Sequence, residues 1–328
     1  YIGQYIRNFF TGIFKGALVL PFYDLSIGMG EDIIGTLNYY GFGDPVNLLA
    51  VFANQKTGTY LFTVCFFLRI WGAGLSFQLY CHEVEINRVP SIIASLCYAF
   101  CGFAIYGGGR YIEWLSVLIY FPLLLYGTEK VFRGKRLSIA LILATAYGSL
   151  CGFYFLYMAS LCLGIYWIVR LIFGEKAKKI KKFILMGRCI FNYLLGLGLS
   201  APVFLLSISS YLYSERAGTD IMQVLFDLGK YKPTLNWEFI AVETDFWHNR
   251  NSNLSGILVV ELVAVVSIFF IRGRKALQMK LAVVILLLFL HLPIIGWIFN
   301  GFGETNDRWV FCVHFLFALI FAYIYTII

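Results

Sequence analysis

Apolar runs of roughly 17 to 25 residues alternate along this chain with short polar connections, and such a run is what a helix needs to cross a hydrocarbon core of about 30 Å at 1.5 Å per residue. Runs near 57–81, 89–106, 112–129, 138–150, 153–172, 184–209, 254–271, 281–298 and 309–328 predict about nine transmembrane spans. The fourth is short, and its helix is expected to be tilted, broken or merged with the fifth. Residues 1–56 follow another rule. YIGQYIRNFFTGIFKG is apolar at 2, 5, 6, 9, 10, 13 and 14, a helical stripe. PFYDLSIGMGEDIIGTLNYYGFGDPVNLLAVF, residues 21–52, is too polar and glycine-broken to span and too apolar for a solvated loop. Short helices lying in the headgroup region fit both segments. Residues 210–253 form a second long polar segment. The pattern therefore predicts an all-α polytopic membrane protein: one transmembrane domain, 1–328, with 1–56 as interfacial helices and first loop and 210–253 as a large loop on the same face. The chain opens on Tyr1 and closes on an apolar run, so it is expected to continue at both ends.

Composition agrees with the pattern, since 60% of the residues are hydrophobic and only 13% charged, where a soluble domain has about a quarter charged. If the spans alternate sides, the connections 82–88, 129–136, 170–188 and 272–280 carry 16 Lys or Arg against four acids. The opposite set, 24–56, 107–113, 210–253 and 299–308, carries 13 acids against seven basic residues. The positive-inside rule makes the first set cytoplasmic and the second extracytoplasmic. Basic runs such as KAKKIKK at 176–182 lack interleaved aromatics and stand where orientation signals belong, so they argue for anionic headgroups and against nucleic acid. The eight cysteines, at 65, 81, 97, 101, 151, 162, 189 and 312, lie within or beside apolar spans, as small packing residues do.

Candidate chemistry concentrates on the acidic face. FNGFGETNDRW, 299–309, places Asn300, Glu304, Asn306, Asp307 and Arg308 between two greasy runs, and GGGRYIEW, 107–114, adds Arg110 and Glu113. A turn between two helices must be polar in any case, which is the plain alternative. Within the spans, Arg69 and Glu261 are ionisable residues that cost at least ~2.5 kcal/mol unless paired or facing water. Arg69 either holds a lipid-linked phosphate or pairs with Glu261. GMGED at 28–32 and GLGLSA at 196–201 are poor phosphate loops, and no HExxH, GxSxG or Walker pattern is present.

A QY segment at 4–5, DPVNLL at 44–49, Arg69 ahead of GAGLSFQLY, SLCYAFCGFAIY, WLSVLIYFPLLLYGTEKVFRGK, GFYFLYM and a C-terminal NGFGETNDRW follow one another in order. Together they resemble the bacterial YfhO family of membrane proteins. The resemblance implies a GT-C type fold and a glycosyltransferase that moves a sugar from a polyprenyl-phosphate donor to an extracytoplasmic acceptor such as teichoic acid or another wall polymer. It also implies an acid four positions before Gln4, immediately ahead of Tyr1. Gln4 then marks that neighbourhood, and Asp44 and Asp32 are the remaining acids able to take the acceptor's proton. Arg308, Arg110 and Arg69 are the cations for the leaving phosphate, with Asn300 and Glu304 beside them. Carboxylates could hold Mg²⁺ or Mn²⁺, although no ligand spacing demands a metal. The rival classes are a lipid or lipid-linked-sugar flippase and a non-catalytic subunit of an envelope assembly.

Overall fold

A computed structural model describes residues 2–16, 23–25, 30–54, 56–173, 182–212, 257–302, 306 and 308–327. The chain is built of helices, with one short two-stranded ladder: α1 (Ile2–Phe14) leads to strands β1 (Tyr23–Asp24) and β2 (Glu31–Asp32) and then α2 (Ile33–Asn38). A 3₁₀ segment, Pro45–Phe52, precedes the first long helix, α3 (Gly58–Glu83). There follow α4 (Arg88–Ala99), which continues through a π-turn at Phe103–Gly107, then α5 (Leu115–Phe132), α6 (Ile139–Cys151) and α7 (Phe153–Phe173). The second half contains α8 (Lys182–Leu199), α9 (Ala201–Leu212), α10 (Val259–Ile268), α11 (Arg274–His291), α12 (Pro293–Phe299) and α13 (Phe311–Ile327).

Among the described residues, six helices are long and apolar enough to cross a membrane. A seventh span arises if α11 and α12, bent by 95° at their junction, count as one. The run expected as a span over 281–298 thus contains an elbow. Pro293 is the first residue of α12, and Leu292 before it is extended, with φ −102° and ψ 108°, because the proline ring disfavours helical geometry at the preceding residue. The run 184–209 divides at Ser200 into α8 and α9. The fourth and fifth runs do not merge. Gly152, with φ +143°, separates α6 from α7 in a conformation that a side chain would strain.

Lipid-facing helices need no polar outer face, so what distinguishes their sides is size. Close approaches fall on small residues: a Cβ added to Gly127 would lie 2.3 Å from the Leu141 backbone nitrogen, and one on Gly196 2.5 Å from Thr145 Cβ. These contacts lock α5 to α6 and α6 to α8. In α5 and α13, 78% of the most apolar stretch is buried, against 33% in α3 and 22% in α8, so α5 and α13 form the centre. Between them Phe77, Tyr98, Phe121, Phe311 and Phe315 pack edge to face or stacked.

The two ends of the bundle differ in chemistry. At one, Glu83 pairs with Lys130 and Arg133, and Glu129 takes a two-pronged bond from Arg170 at 2.6 Å on each side. At the other, the turn before the 3₁₀ segment, the α6–α7 corner, residues 110–114 and residues 300–302, 306 and 308 meet.

Candidate functional site

The loop between α2 and the 3₁₀ segment is pinned from within. Asn38, fully buried, accepts from Gly43 N at 3.0 Å and donates to Ser207 Oγ of α9 at 2.8 Å. Gly43 lies so close to the end of α6 that an added Cβ would be 2.5 Å from the Leu150 carbonyl oxygen. Asp44 then caps the 3₁₀ segment, accepting from Val46 N at 2.9 Å. Its second oxygen receives Arg69 Nη2 at 2.7 Å and Ser116 Oγ at 2.5 Å. Arg69 donates further to Asn47 Oδ1 at 2.8 Å, Ser116 Oγ at 3.0 Å and the Cys65 carbonyl at 3.3 Å. Both charged side chains are wholly inaccessible. A buried arginine so thoroughly satisfied is a clamp that joins the loop to α3 and α5. Glu261 is not its partner: that carboxylate accepts from Leu258 N at 3.0 Å, at the start of its own helix.

Next to this clamp opens a crevice lined by Tyr39, Glu113, Trp114, Tyr120, Cys151, Gly152, Tyr154 and Phe155, with about 350 Å³ of empty space counted to its open mouth. Glu113, Ser116 and Tyr120 stand at helical spacing along α5 and its lead-in, so one helix face serves both clamp and crevice. Beside it runs a ladder of cations and rings. The Arg110 guanidinium lies 5.4 Å from the Tyr111 ring centre, Tyr111 stacks on Trp114 at 5.0 Å, and the Arg308 guanidinium lies 5.0 Å from the Trp114 ring centre. Arg308 also lies 5.6 Å from the Tyr154 ring and donates to its hydroxyl at 3.3 Å. That hydroxyl donates to Asn300 Oδ1 at 2.5 Å and accepts from Asn306 Nδ2 at 3.1 Å. Among the described residues, neither Arg110 nor Arg308 forms an ion pair. The aromatic faces hold these cations by their quadrupoles, about 0.5–2 kcal/mol each, without cancelling their charge.

The family model for the bacterial membrane protein YfhO matches residues 2–327. The chain belongs to the YfhO family. No curated protein and no solved structure matches it. In this YfhO chain the singled-out residues are only partly gathered. Arg308, Arg110 and Asn300 meet at the aromatic ladder, while Asp44 and Arg69 meet in the clamp behind it. Asp32, half-buried, caps α2 by accepting from Ile34 N and Gly35 N. Gln4 is exposed on α1, the helix that packs on the 3₁₀ segment through Arg7 bonds to the Val51 and Ala53 carbonyls. Glu304 and the loop 213–253 lie outside the described residues. Among the described residues no three His, Cys, Asp or Glu side chains are grouped. Sequence reasoning passed over Ser116, Asn47, Tyr39, Trp114, Tyr120 and Tyr154. Only Trp114 and Tyr154 carried a signal, as aromatics beside the GGGR turn and the Gly152 break.

Proposed function

We propose that this YfhO protein is a membrane glycosyltransferase that takes a sugar from a polyprenyl-phosphate donor and passes it to a wall polymer on the outer side of a bacterial plasma membrane. The observation that carries this reading is the ladder: two arginines that meet no acid among the described residues, set against aromatic faces beside a crevice. A phosphate ester joined to a polyprenyl tail is an anion that must sit where a span meets the headgroups, and Arg308 stands at the head of the last span. In the reaction the acceptor oxygen bonds to the anomeric carbon as the bond from that carbon to the phosphate oxygen breaks. The electron pair leaves on the phosphate, and the acceptor's proton passes to a carboxylate. Of the two acids assigned to that step, Asp44 is committed to Arg69, so we give the proton to Asp32, the partly exposed one.

Purified full-length protein incubated with polyprenyl-phosphate sugar and wall polymer should transfer sugar. Arg308→Gln should lower the rate by about 10²–10³, the usual loss when one preorganised donor to a developing anion is removed. Arg308→Lys should fall between, because a point charge lacks the planar fork. The elbow between α11 and α12 supports a second reading, a lipid-linked-sugar transporter, since broken helices are common in such proteins. Movement of the labelled donor across a liposome bilayer without acceptor, and no transfer with it, would decide for that reading.

A further inference from the structure

The crevice contains more than an anion site needs. Its aromatic walls, Tyr39, Trp114, Tyr154 and Phe155, surround two oxygen-bearing groups, the carboxyl of Glu113 and the phenol of Tyr120. Tyr120 is 1% exposed, and its hydroxyl oxygen has no hydrogen-bond partner among the described residues. A buried phenol left without a partner costs about 1–3 kcal/mol, so its retention at a cavity floor calls for a ligand group that completes it. Glu113 makes no ion pair and no side-chain hydrogen bond with another described residue, although the Arg69–Asp44 clamp adjoins it. Its position is fixed by the glycine turn: a Cβ added to Gly41 would stand 3.4 Å from Glu113 Cβ and 3.7 Å from Asp44 Cβ.

We infer that this crevice is a subsite for a hydroxyl-bearing ring, with Glu113 and Tyr120 reading its hydroxyls. A pyranose has two apolar C–H faces that suit aromatic walls and an equatorial belt of hydroxyls that suits a carboxylate and a phenol. Arg308 at the neighbouring wall places the phosphate, so the ring and the phosphate of one donor are bound by separate groups. This inference rests on the glycosyltransferase reading and adds to it the part of the chain that recognises the sugar.

The test needs no acceptor and no turnover. Affinities of the full-length protein are measured for two probes, polyprenyl phosphate and polyprenyl-phosphate hexose. Wild type should bind the hexose form at least about tenfold more tightly, the contribution of one or two hydrogen bonds with a charged partner. Glu113→Gln and Tyr120→Phe should each bring the ratio down to about threefold or less while leaving the affinity for the bare phosphate unchanged. Arg308→Gln should weaken both probes together. A wild type that binds the two probes equally overturns the subsite. So do variants that keep the full ratio. A wild type that binds neither overturns the glycosyltransferase reading itself. Tyr120→Phe guards against a folding artefact, because it removes one oxygen that has no bond to another described residue.

Discussion

Asp44 and Asp32 look interchangeable as acids in a glycine-rich loop, but their surroundings separate them. Asp44→Asn keeps the cap on Val46 yet leaves the Arg69 guanidinium buried without its counter-charge, a loss of about 3–5 kcal/mol when one member of a buried pair is removed. The expected outcome is a markedly lower melting temperature in detergent or nanodiscs. Asp32→Asn, with asparagine a good cap, should melt with the wild type and lose sugar transfer. An Asp44→Asn protein of normal stability that transfers nothing would move Asp44 into the chemistry. Both residues were visible in the sequence as acids, and Arg69 as a charge inside a span. Their pairing was not, because Asp44 and Arg69 are 25 residues apart and the shared Ser116 is 72 from Asp44, separations that no helical or strand period connects. An arginine that must be satisfied in hydrocarbon could have been matched to any acid on its face.

At the scale of elements, helix lengths were legible because bilayer thickness fixes them. The breaks were harder to see. Pro293 and Ser200 lie inside runs that are apolar on average, and hydropathy reports solvent, not direction. Small residues carry the packing, and their effect can be tested in pairs. A Cβ at Gly127 would meet the Leu141 backbone, whereas at Gly164 on α7 nothing lies within 4 Å. Gly127→Ala should therefore push α5 and α6 apart and destabilise the protein by about 1–3 kcal/mol, as overpacking does. Gly164→Ala, in a helix interior, should be neutral or stabilising by up to ~1 kcal/mol. Unfolding in a graded denaturant series checks both, and equal behaviour of the two variants would show that the α5–α6 contact is not tight.

For the whole molecule, the two ends of the bundle gather different charged groups: Glu83, Glu129, Lys130, Arg133 and Arg170 at one, Asp44, Arg69, Glu113 and Arg308 at the other. Gly109→Cys and Lys135→Cys, both at exposed positions, should react with a membrane-impermeant thiol reagent from opposite sides, 109 from outside and 135 from inside. The native cysteines are buried except Cys162, which is half-buried. Reaction of position 109 only from the cytoplasm would invert the topology and remove an extracytoplasmic acceptor from consideration. The ladder beside the crevice has a further meaning in charge stoichiometry. Arg69 is neutralised by Asp44, while Arg110 and Arg308 lie over neutral rings and meet no acid among the described residues. A sugar–phosphate–lipid diester carries one negative charge; the monoester released when the sugar leaves carries about −1.5 to −2 at neutral pH. One arginine balances the donor and two balance the product, so the second cation in the stack gains its purpose only as the bond to the sugar breaks, which is the differential binding that lowers a barrier.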